Sequence, residues 1–196
     1  MHIRFAVKED ISHILEIYRP YVENTTVSFE YTCPTLEEFT ERFTKYTRQF
    51  PWLVWEEKGE ILGYAYACAP FTRMAYSWVA EASVYLHPKA HRRGIGTALY
   101  KALEAILREQ GYLTLYTLVT SQNAPSLAFH KARGYEVRAV FPRQGFKMGK
   151  ALGVTWLEKT LQSVEYPQNL PISVNTLVKN DRNFLDNLDR FTLSNS

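Results

Sequence analysis

Two neighbouring features of this sequence could do chemistry together. One is a lone carboxylate, Glu81, set between Ala80 and Ala82 in a run that is otherwise apolar, small or hydroxylic; the other is a basic glycine loop, His91-Arg92-Arg93-Gly94-Ile95-Gly96. The loop opens a helical pattern, and the first N–H groups of a helix have no intrahelical partner and carry the positive end of its dipole. Gly94 and Gly96 remove the Cβ atoms that would hold an anion away, and Arg92 and Arg93 add charge, so the main-chain amides from Arg92 through Gly94, Ile95 and Gly96 to Thr97 suit a pyrophosphate. No Gly-Lys-Ser/Thr follows, which excludes a P-loop, and the third glycine of the dinucleotide fingerprint is missing. A carboxylate in mid-strand needs a partner or a reason, because uncompensated burial raises its pKa and costs stability. Taken alone, Glu81 reads as a solvent-facing or salt-bridged side chain as readily as a base.

The elements that must position these groups follow from the apolar periodicity. Trp78 to Leu86 reads as a central strand, His87-Pro88 as a turn, and Leu99, Leu103 and Ile106 as the buried face of a helix that Gly111 stops. Upstream, Ile3, Phe5 and Val7 alternate as a strand. Asp10 is placed to cap a helix with apolar positions Ile11, Ile14, Leu15, Tyr18 and Val22. Thr35-Leu36-Glu37-Glu38 resembles a capping box ahead of Phe39, Phe43 and Tyr46, and Pro51 ends that helix. Strands over Leu53 to Trp55 and Ile61 to Ala69 meet at the hairpin signal Lys58-Gly59, and Gly63 suggests a bulge or the close approach of another backbone. Downstream come a strand over Leu113 to Val119, a helix capped by Asn123 with Pro125 in its first turn and Gly134 at its end, a strand over Tyr135 to Phe141, and a last strand over Gly145 to Leu157. The pattern predicts an α/β (α+β) fold.

Composition narrows the classes. A chain of 196 residues with 46% hydrophobic and 22% charged residues suits one globular domain. No apolar run has the length of a membrane span, and Met1-His2-Ile3-Arg4-Phe5 lacks the apolar region of a signal peptide, so a cytoplasmic protein is expected, with no membrane partner. A formal charge of +3, with the arginines near the loop, points to a polyphosphate ligand rather than nucleic acid. Cys33 and Cys68 have no metal spacing and no Cys/His company, so neither a metal nor a disulfide is expected. From Gln162 the composition turns to Asn, Asp, Ser and Pro. We read residues 1–161 as the domain and 162–196 as a tail, with Phe184, Leu188 and Phe191 at helical spacing behind a cap at Asn180 or Asp181.

The loop resembles the Gln/Arg-x-x-Gly-x-Gly/Ala motif by which Gcn5-related N-acetyltransferases (GNAT) hold the pyrophosphate of acetyl-CoA, with His91 standing where Gln or Arg is usual. Tyr21-Val22-Glu23-Asn24-Thr25-Thr26-Val27-Ser28-Phe29-Glu30, Gly63-Tyr64-Ala65-Tyr66-Ala67, Ala80-Glu81-Ala82-Ser83-Val84-Tyr85, Asn123-Ala124-Pro125-Ser126 and Gly145-Phe146-Lys147 are similar, in the same order, to the phosphinothricin acetyltransferase group of that superfamily. The resemblance implies a mixed, mostly antiparallel sheet of about six to seven strands flanked by about four helices, with splayed central strands holding acetyl-CoA. It implies that Glu81 is the general base, that Tyr100 protonates the leaving thiolate, that the main chain of Val84, Tyr85 and Leu86 pairs with the pantetheine arm, and that Asn123 and Ser126 touch the cofactor. Phe29, Arg73 and His130 fall on the acceptor side; the acceptor is a small-molecule amine, no metal takes part, and a homodimer is expected. The chain departs from the group at Phe71, where a lysine is usual, and at Ala151-Leu152-Gly153, where Trp-x-Asp is usual. A protein N-terminal or lysine acetyltransferase, or a non-catalytic acyl-CoA-binding module, are the competing functions.

Overall fold

The apolar periodicities resolve into one seven-stranded sheet in the computed structural model, which describes residues 2–167 and 169–180. Strands β1 (His2–Phe5), β2 (Trp52–Glu57), β3 (Glu60–Cys68), β4 (Val79–Leu86), β5 (Thr114–Thr120), β6 (Glu136–Lys147) and β7 (Lys150–Thr160) lie in the order β1-β2-β3-β4-β5-β7-β6. Only β4 and β5 are parallel, so the sheet is mixed and mostly antiparallel. Helices α1 (Ile11–Glu23) and α2 (Leu36–Tyr46) cover one face through Ile14, Tyr18, Phe39, Phe43, Trp52 and Tyr64. Helix α3 (Ile95–Gln110) covers the other through Leu99, Leu103 and Ile106, with α4 (Ala124–Lys131) and α5 (Val174–Asn180) completing the set. Among the described residues no helix is long and apolar enough to cross a membrane.

Local chemistry explains most boundaries. Thr35 Oγ1 accepts from the Glu38 N–H while the Glu38 carboxylate accepts from the Thr35 N–H, a complete capping box. Lys58 and Gly59 both have positive φ, 52° and 79°, the type I′ geometry that matches strand twist in a two-residue hairpin. Gly63 answers a close approach: a Cβ there would lie 2.4 Å from Leu86 Cδ2.

Two expectations need correction. Asp10 does not cap α1 with its side chain; the carboxylate turns to the Arg4 guanidinium, at 2.6 and 2.9 Å, and accepts the Val7 N–H, because a charged fork outcompetes a helix amide. The last strand is not one run from Gly145 but a long hairpin, β6 into β7, turning at Met148 (φ 50°) and Gly149 (φ 70°), a turn without the Asn or Asp that announces one. Asn180 is the last described residue of α5, and Asp181, Phe184, Leu188 and Phe191, with the helix expected there, lie outside the described residues. Residues 169–180 meanwhile pack on the body: Val174 and Leu177 are buried, and the Gln110 side chain donates to the Ile172 carbonyl at 2.8 Å.

Candidate active site

The parallel pairing of β4 with β5 ends at Glu81, opposite Tyr116, whereas β5 continues to Thr120 against β7. Beyond that point β4 has no partner on its β5 side, and the strands part into a gap lined by Ala82 to Tyr85, Thr117 to Thr120, Tyr100, Asn123, Ser126 and His130. Unpaired strand backbone offers an amide-bearing ligand the same bonds that a neighbouring strand would. At Leu86 these groups are partly engaged already: its carbonyl accepts from the Tyr21 hydroxyl at 2.6 Å, and that hydroxyl also meets His91 Nε2 at 3.3 Å. The Asn123 side chain caps α4 by accepting the Ser126 N–H at 3.2 Å.

Past the end of β4 the chain turns into α3 through a loop built for an anion. Arg92 and Gly94 take positive φ, 61° and 78°, and among the described residues the N–H groups from Arg92 to Thr97 find no protein acceptor. Arg93 is steadied by Glu57 at 2.5 Å. Gly96 sits in a tight packing position, where a Cβ would lie 3.3 Å from the Phe129 ring and 3.4 Å from a Leu86 methyl.

Along β4, Glu81, Ser83 and Tyr85 alternate onto the face that α1 and α2 cover. They line a cavity of about 570 Å³ with Phe29, Glu30, Arg42, Tyr46 and Tyr66. Ser83, Tyr85, Leu118 and Thr120 border this cavity and the strand gap alike, so the two spaces adjoin through the splay. Glu81 is half-buried and has no hydrogen bond or ion pair among the described residues, and burial pushes its carboxyl above the usual range. Phe29 leans on Gly145, where a Cβ would meet its ring at 2.6 Å.

On the α3 side of the gap, Tyr100 is fully buried and held protonated by that burial. His130, also buried and lowered to about 4, has its Nδ1 2.8 Å from the Ser126 carbonyl and its Nε2 2.9 Å from the Tyr100 hydroxyl. A carbonyl accepts only, so Nδ1 carries the proton and Nε2 accepts from Tyr100. His130 thus lines the strand gap and not the cavity that Glu81 borders. Arg73 lies in neither: it is exposed beside a separate cavity with Phe71, Tyr76 and Pro171. Among the described residues no three His, Cys, Asp or Glu side chains converge as metal ligands.

Residues 3–164 match the acetyltransferase (GNAT) domain. The chain belongs to that family. It is 32% identical over 149 residues to the phosphinothricin N-acetyltransferase of Streptomyces viridochromogenes, spanning 76% of this chain and 81% of that one. It is likewise 32% identical over 168 residues to an L-methionine sulfoximine/L-methionine sulfone acetyltransferase of Salmonella typhimurium, over 85% of this chain and 98% of that one. The crystal structure of a GNAT superfamily phosphinothricin acetyltransferase from Sinorhizobium meliloti in complex with acetyl-CoA superposes with a TM-score of 0.80 at 34% identity, covering 86% of this chain and 96% of that one.

Several residues of this GNAT acetyltransferase's site escaped sequence reading. Arg42 and Tyr46 come from α2, Glu30 from the loop after α1, and Tyr66 from β3. A signal existed for Arg42: positions 39, 42, 43 and 46 are a single helical stripe, so a charge at 42 interrupts an otherwise aromatic face. Lys147 is another case. It is buried, and its ammonium donates to the carbonyls of Val22 and Ser28, each at 2.7 Å, tying the loop after α1 to β6.

Proposed function

We propose that this acetyltransferase moves the acetyl group of acetyl-CoA to the primary amine of a small amino-acid-like acceptor, of the phosphinothricin, methionine sulfone or methionine sulfoximine type, by direct transfer with Glu81 as general base. The observation that carries this reading is Glu81 itself, an unpaired and partly desolvated carboxylate on the wall of an aromatic-lined cavity adjoining the strand gap. The names of the relatives supply the acceptor class.

The chain's own groups fit the cosubstrate. The free amides from Arg92 to Thr97 hold the pyrophosphate, the β4 main chain from Val84 to Leu86, with Val84 unpaired on the β5 side, takes the pantetheine amides, and Asn123 and Ser126 border the same gap. Acetyl-CoA supplies an activated acyl group as a thioester. An aliphatic amine is an ammonium at neutral pH, so Glu81 removes that proton, directly or through a water, and its raised pKa brings its basicity closer to working pH. Tyr100, held protonated at the gap, is the acid for the departing thiolate, its O–H turning from His130 Nε2 to the sulfur as the thioester breaks. The assembly in this reading is a cytoplasmic homodimer; exposed Val140, Phe141 and Phe146 on β6 support self-association.

Thiol release from acetyl-CoA with a panel of amines tests the reading. Turnover is expected on phosphinothricin, methionine sulfone or methionine sulfoximine, and not on peptides bearing a free N-terminus or lysine. Turnover confined to peptides would favour a protein acetyltransferase, and tight acetyl-CoA binding without turnover on any amine would favour a sensor.

A further inference from the structure

The acceptor cavity contains a charge that proton removal does not use. Arg42 projects from the sheet-facing stripe of α2, half-buried, and its Nη2 donates to Glu30 Oε1 at 2.5 Å. Its guanidinium carbon lies 5.5 Å from the centre of the Phe39 ring. Among the described residues Glu30 is its sole hydrogen-bond partner, which leaves Nε and Nη1 uncommitted. The second oxygen of Glu30, Oε2, is enclosed and has no partner either. The pair is thus a held but unfinished polar cluster on the wall of a cavity that aromatic rings share with Ser28, Ser83, Thr120 and Glu81.

A guanidinium steadied by one carboxylate, with part of its donor fork free, is a receptor for a planar oxyanion, and the partial burial of Arg42 strengthens that contact. Arg42 and Glu81 border the same cavity. Arg73, the basic residue on which the family resemblance would place the acceptor's anion, borders a different cavity. We infer that Arg42, positioned by Glu30, binds the carboxylate of the acceptor whose ammonium proton passes to Glu81. This assignment rests on the proposed acetyl transfer to an amino-acid-like amine and names the anchor within it.

The test compares methionine sulfone with its carboxamide, which keeps the amine and loses the negative charge, in wild type, Arg42→Gln, Arg42→Lys, Glu30→Gln and Arg73→Gln. Wild type is expected to prefer the acid by roughly 10-fold or more in kcat/KM. Arg42→Gln should raise the KM for the acid on the order of 10- to 100-fold, leave the amide and the KM for acetyl-CoA unchanged, and so erase the preference. Arg42→Lys should restore part of it, and Glu30→Gln should weaken it. Because the readout is a ratio of two substrates on one preparation, a loss of folded protein does not move it. A preference that survives Arg42→Gln, or that Arg73→Gln erases instead, overturns the assignment. Wild type that acetylates acid and amide equally well keeps the proposed function and overturns the role of Arg42; wild type that acetylates neither of these, nor phosphinothricin nor methionine sulfoximine, overturns both.

Discussion

The pair Tyr100 and His130 carries a pH dependence of its own. Burial lowers His130 to about 4, against about 6.5 for the unfolded side chain, so over that interval the unfolded chain binds a proton that the folded one refuses. The stability it contributes is therefore complete above about 6.5 and is lost as pH falls through the folded value, by about 3 kcal/mol at most. Urea unfolding of wild type should weaken between pH 7 and pH 4 by more than that of His130→Gln, and equal slopes would show that the ring is not held neutral. At this scale the sequence was informative where a residue's type clashed with its neighbours. Glu81 stands out because nothing else in its strand ionises, whereas Arg42 hides among the ordinary charges of a helix until its spacing from Phe39 and Tyr46 is noticed. Arg73 shows the opposite case: a residue in the right loop by resemblance that borders a cavity apart from the one Glu81 lines.

Elements position these residues through a few polar ties. Lys147 on β6 holds the Val22 and Ser28 carbonyls, and burial lowers its pKa, so the ammonium is retained because those two carbonyls compensate it. Hydrogen bonds to a charged group contribute about 1.5–3 kcal/mol each, and Lys147→Met should lower stability by roughly that order. The loop released carries Val27, Phe29 and Glu30, so the same variant should raise the acceptor KM well above its effect on the acetyl-CoA KM. Steady-state kinetics with each substrate varied checks this, and equal changes in both would place the tie outside acceptor binding. Elements with strong local signals were legible: the capping box at Thr35, the Lys58-Gly59 turn, and the glycine loop before α3. The β6–β7 turn was not, because Met148 adopts positive φ without a side chain that favours it, and the register is set instead by the long pairing on either side.

Across the whole molecule, the order of motifs made the fold readable, since each short segment is weak alone and the sequence of them leaves little freedom. The segment beyond the domain was harder to read, because Pro167, Pro171 and a polar composition conceal two apolar anchors, Val174 and Leu177, whose burial depends on α3 and on the chain around Gln49, far away in the sequence. Truncation after residue 168 should forfeit about 1.5–3 kcal/mol for each of those side chains, together with the bonds that Gln49 and Gln110 make to residues 171 and 172. The melting temperature should fall by several degrees while kcat stays near wild type, because residues 169–180 line neither the gap nor the acceptor cavity. The central claim is that Glu81 accepts the proton from an amine presented to acetyl-CoA, and the measurement that addresses it most directly is the pH profile of kcat/KM for methionine sulfone in wild type and Glu81→Gln. Wild type should gain activity with rising pH on an acid limb above the ordinary carboxylate range, and Glu81→Gln should lose that limb and about 10²- to 10⁴-fold in rate. A Glu81→Gln enzyme with full turnover and an unchanged profile would contradict it.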